Sequence, residues 1–77
     1  MYRLVKLEWF DIIRPEETWM FPEDARALEP AKITTIGWII YSTNDHVIIA
    51  SSLGDDKQLG DINCMPRSVI ISMEDIG

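Results

Sequence analysis

The strongest constraint on this chain lies at its centre, where Ile33 to Ser52 reads ITTIGWIIYSTNDHVIIASS, two β-branched runs separated by Ser42-Thr43-Asn44-Asp45. Val, Ile and Thr lose side-chain freedom in a helix and pack well on a pleated surface, so the two runs predict adjacent strands. Asn44 and Asp45 tolerate left-handed backbone, which makes the join a hairpin. In the first run Ile33, Thr35, Gly37, Ile39 and Tyr41 share one face, and Thr34, Ile36, Trp38 and Ile40 share the other. Both faces are apolar, the pattern of a strand covered on two sides. Gly37 stands mid-strand, where glycine marks a bulge or sharp bend that lets a small sheet curl.

The flanks agree with a β-rich fold. From Arg3 to Asp11, Val5, Leu7 and Trp9 alternate with Lys6 and Glu8, predicting a half-buried strand with Trp9 in the core. Between Ile13 and Ala31 the alternation stops, and Pro15, Pro22 and Pro30 with five acids forbid a strand. Residues 13–32 are therefore expected as an acidic, proline-rich loop, with a short helix from Pro22 where proline and acids suit a first turn. Leu53 to Asp61 reads as a polar turn bounded by Gly54 and Gly60, Ile62 to Met65 as a strand, and Ser68 to Met73 as another beyond a tight Pro66-Arg67 turn. Five short strands and no long helix predict one mostly β domain over 1–77, a small five-stranded antiparallel barrel of the SH3-like or Sm-like type.

Such a domain is short of core. At about 1.5 kcal/mol of conformational entropy per ordered residue, 77 residues offset the cost of ordering only narrowly, and small chains often add disulfides, metals or oligomers. Cys64 is the one cysteine and His46 the one histidine, so neither an intrachain disulfide nor a structural zinc site is expected. Self-association is the route left, and the open edges of a five-stranded barrel invite it. The start, MYRLVKLEWF, lacks the pattern of a secretion signal, and the longest apolar run, Ile36 to Tyr41, is too short to span a bilayer, so a cytoplasmic protein without a membrane role is expected. Thirteen acids against seven scattered bases give a net charge of −6, which argues against binding duplex nucleic acid.

No residue set points to catalysis. There is no Gly-x-Ser-x-Gly elbow; His46 reads as a solvated turn histidine, and Cys64 as a buried, inert thiol. Asp55, Asp56 and Asp61 lack the ligand spacing of an EF-hand and read as a solvated turn. A non-enzymatic protein with no cofactor or metal is expected. Binding candidates come from the aromatics and one cation. Trp19, beside Met20 and Phe21, either folds back as a plug over a barrel end or meets a partner. Trp38 or Tyr41 must cover a subunit contact, a loop or a ligand, since a small barrel has one interior. Arg67, held after Pro66, either pairs with a neighbouring acid or presents its planar fork to an anion.

Val5, Leu7, Trp9 and Asp11, then Trp19, then Gly37-Trp38, and finally Ile62, Met65-Pro66-Arg67 and Ile70 form a layout that resembles small accessory proteins of tailed bacteriophages. The resemblance covers most of the chain and brings no catalytic residues. It implies a phage setting in which a homo-oligomer counters host defence, by sequestering a small anionic, nucleotide-like signal at subunit junctions or by binding a host protein. A phage assembly accessory docking through a barrel edge is the alternative, with an Sm-like RNA-binding ring behind it.

Overall fold

Alternation in the first strand becomes burial. In β1 (Arg3–Asp11) Val5 and Leu7 are fully enclosed and Trp9 is half-buried, its indole N–H donating to Thr35 Oγ1 at 3.0 Å. The computed structural model describes residues 2–77, and these continue through α1 (Pro22–Arg26), β2 (Ala31–Ser42), β3 (His46–Leu53), β4 (Leu59–Pro66), a 3-10 turn at Arg67–Val69, and β5 (Ile70–Asp75). The strands form one antiparallel sheet in the order β4-β3-β2-β1-β5. Its edges, β4 and β5, do not pair with one another, so the sheet is open.

β2 is the hinge of this sheet. Ala31 to Ile39 pair with β1, while Trp38 to Ser42 pair with β3. At Gly37 the β3 backbone crosses so closely that a Cβ would stand 2.6 Å from the Ala50 carbonyl oxygen and 3.0 Å from Ile49 Cγ1. Glycine is needed there for close approach rather than for the bulge expected at this position, which falls further on, between Ile39 and Tyr41. The resulting curl lets Val5, Leu7, Ile49 and Met65 form one cluster, with Trp9, Ile39, Ile70 and Met73 packed against it, so all five strands contribute to a single core. Each fully enclosed Val, Leu or Ile contributes roughly 1.5–3 kcal/mol of hydrophobic stabilisation.

The β2–β3 hairpin forms where expected, by a different device. Neither Asn44 nor Asp45 is left-handed; instead Thr43 Oγ1 accepts the Asp45 and His46 N–H groups, each at 3.1 Å. Thr43 thus supplies a side-chain-capped turn. Among the described residues the left-handed non-glycine ones are Lys57 (φ 76°), in the β3–β4 turn, and Asp61 (φ 54°), in β4. His46 is the first residue of β3 rather than a turn residue; it is half-buried, with Nδ1 3.3 Å from Thr43 Oγ1.

Between Asp11 and Ala31 the chain leaves the sheet. Residues 12–21 form no regular element, α1 buries none of its side chains, and the molecule measures 50 × 23 × 21 Å. Its radius of gyration is 15.8 Å, where a compact domain of this length has about 11–12 Å. The acidic segment is an arm, and its two roots stay adjacent because Asp11 pairs with Ala31.

Candidate binding surfaces

Trp19 lies on the arm and is 92% exposed, with Phe21 beside it 72% exposed. The plug expectation is therefore overturned: the triplet Trp19-Met20-Phe21 lines a shallow recess made by those three residues alone. Pro22 starts α1 immediately after Phe21, whose carbonyl accepts the Asp24 and Ala25 N–H groups at 3.1 and 3.0 Å. Glu16, Glu17, Glu23 and Asp24 flank the triplet on both sides, giving an apolar tip with an acidic collar. At the arm's root a second, mainly apolar cleft of about 380 Å³ lies among Phe10, Ile12, Ile13, Leu28, Pro30 and Val69.

Trp38 sits on the face of the sheet away from the core, paired with Leu4 on one side and Ala50 on the other. It lines a cleft with Tyr2, Arg3, Leu4, Asp75 and Gly77, across which Arg3 and Asp75 form a 2.9 Å ion pair. Tyr41 joins the same outer face. Parity places it with Ile39, but the extra residue at Ile40 reverses the phase, so Tyr41 stands opposite Ile48 and is 60% exposed. The outer face of β2 is not covered as the apolar pattern suggested, for Ile36 also stands exposed.

Arg67 has no neighbouring acid as partner among the described residues. Its Nε donates to the Thr43 carbonyl at 2.6 Å and its backbone N–H to the Asp45 carbonyl at 2.9 Å. It pins the β4–β5 turn onto the β2–β3 hairpin. Within one chain Trp19 stands apart on the arm, while Trp38 and Tyr41 share the outer face and Arg67 reaches the Thr43 carbonyl, two residues beyond Tyr41.

Cys64 is exposed, not buried. Met65 pairs with Val47 and takes the core position, which turns Cys64 outward opposite Ile48. Ile62, opposite Ala50, is likewise outward and 53% exposed. These outer-face residues were missed in sequence; counting back from Met65, the last residue before the Pro66 turn, was the available signal.

The charged part of the outer face is built on β1, β5 and the start of β2. Lys32 Nζ lies 3.1 Å from Glu8 Oε2, and Ser72 Oγ donates to Glu8 Oε1 at 3.2 Å. Lys32, through its hydrogen bond and charge, and then the Ser72 hydroxyl hold the Glu8 carboxyl below its ordinary range. Among the described residues no three His, Cys, Asp or Glu side chains are grouped to hold a metal ion, and no helix is long and apolar enough to cross a membrane. No family model, curated protein or solved structure matches the chain.

Proposed function

We propose that this chain is a non-enzymatic, homo-oligomeric binding protein built on an SH3-like or Sm-like barrel, and that it acts by engaging another protein through its arm. In the phage setting implied by the resemblance, that protein belongs to the host and its capture counters host defence. The observation that carries the reading is Trp19, 92% exposed on an arm of a molecule 50 Å long. Tryptophan is among the residues most enriched at binding hot spots, and a chain gains nothing in its own stability from holding one in water. Pro15 and Pro22 stiffen the approach on either side, which lowers the ordering cost of docking. A small nucleotide-like ligand has less support, because Arg67 already uses its Nε on the Thr43 carbonyl. Self-association is favoured by the two unpaired edges, β4 and β5.

Native mass spectrometry of the protein purified from host cells tests this reading. A multimer carrying a stoichiometric protein that is lost from the Trp19→Ala/Phe21→Ala variant is expected. A retained nucleotide would transfer support to signal sequestration, and a bare monomer would overturn both.

A further inference from the structure

We propose that the uncharged half of the outer face, across β2, β3 and β4, is where a second copy of this chain docks, related by a two-fold axis beside Cys64. This rests on the self-association in the reading above and names its surface. The register sets two apolar rows side by side: Trp38 and Ile62, flanking the fully enclosed Ala50, in one, and Tyr41, Ile48 and Cys64 in the next. With strands about 4.8 Å apart and rows about 7 Å apart, these side chains form one continuous surface. Lys6, Glu8 and Glu74 stand on β1 and β5, outside it. Two copies that each carry a net charge of −6 approach most easily through a charge-free face.

The ends of the patch identify a second copy as the occupant. Asp61 precedes Cys64 by three residues and Arg67 follows it by three, each about 10 Å away along the chain at a strand's rise. The left-handed backbone at Asp61 brings its carboxylate to the Ser52 hydroxyl, which donates to Oδ2 at 3.0 Å, and so to the rim of the outer face. Arg67 uses Nε on the Thr43 carbonyl and has no acid partner among the described residues. A two-fold that runs the two β4 strands antiparallel sets each Asp61 toward the other copy's Arg67 and brings the two Cys64 thiols together. An isologous contact requires this self-complementarity: apolar at the axis, with opposite charges at equal distances on either side.

The test uses the full chain in sedimentation velocity, with a short bis-maleimide as the probe of Cys64 proximity. The expected results are a dimer in solution and a Cys64–Cys64 cross-link of doubled mass on a denaturing gel. Ile62→Lys, at a half-exposed position, is expected to weaken association about tenfold or more. Arg67→Glu is expected to weaken it severalfold, and Arg67→Glu combined with Asp61→Arg to restore it, which distinguishes the proposed orientation from any other use of the face. A multimer that neither cross-links through Cys64 nor responds to Ile62→Lys, or a double variant without rescue, overturns this interface while leaving self-association through the β4 and β5 edges standing. A monomer at every concentration overturns both.

Discussion

The sheet and the arm are made from the same chain under opposite rules. In the sheet, alternating apolar residues meet across five strands, and Val5, Leu7, Val47 and Ile49 lose all contact with water. In the arm, comparably large apolar residues, Ile12, Trp19 and Phe21, stand in solvent. Periodicity makes the difference. Side chains at every second position reach one side together and can share a core. Those between Pro15 and Pro22 have no repeating direction, and the backbone there makes no ladder to hold them. Stability therefore resides in one region and unsatisfied surface in the other, so changes in the two should separate cleanly.

The largest effect is expected in the sheet core. Leu7→Ala should cost about 2–5 kcal/mol, since Leu7 is fully enclosed and neighbours from other strands cannot all close the gap. For a domain this small that approaches the whole folding free energy, and a urea melt followed by circular dichroism should show the transition move sharply or vanish. Gly37→Ala should come next, at about 1–3 kcal/mol, because the new Cβ meets the Ala50 carbonyl oxygen, and the β3 backbone must move to admit it. An unchanged midpoint for this variant would mean that the crossing at β2 is looser than described.

Across the divide the effect should nearly disappear. Trp19→Ala and Phe21→Ala remove large side chains that bury almost nothing, so the urea midpoint should move by no more than about 0.5 kcal/mol in equivalent stability. A clear destabilisation would show that the arm tip packs on its own sheet in solution. The smallest effect concerns acid. The Glu8 carboxyl is lowered on folding by Lys32 and Ser72, so its contribution is present above the ordinary carboxyl value of 4.5 and is lost as pH falls through the lowered one. Thermal melts across that window should show slightly less acid sensitivity in Glu8→Gln than in the parent chain; an identical pH dependence would place the acid response elsewhere.

Legibility in the sequence followed the same divide. β1, the central hairpin, the short helix at Pro22 and the turn at Pro66-Arg67 were readable because each is set by local patterning or by proline. Tyr41 was misplaced because one inserted residue at Ile40 reverses every later side chain, and two-residue periodicity carries no mark of an insertion. Cys64 was misplaced because so short a segment as Ile62 to Met65 can be phased either way until the position of Met65 in the core is known. Arg67 was read through charge, yet it bonds to a carbonyl brought close by the fold, from a residue 24 positions away. The direction of the arm was not written in its composition, since the same residues suit a plug and a projection.

The pairing of Asp11 with Ala31 has a consequence for how such a chain changes over generations. Because the two roots are clamped side by side by the β1–β2 ladder, the intervening stretch is a closed loop whose ordering cost grows only with the logarithm of its length. Lengthening, trimming or rewriting it leaves the ladder's register untouched. The domain therefore carries its most exposed aromatics on an exchangeable graft, while the residues that fold the protein stay fixed.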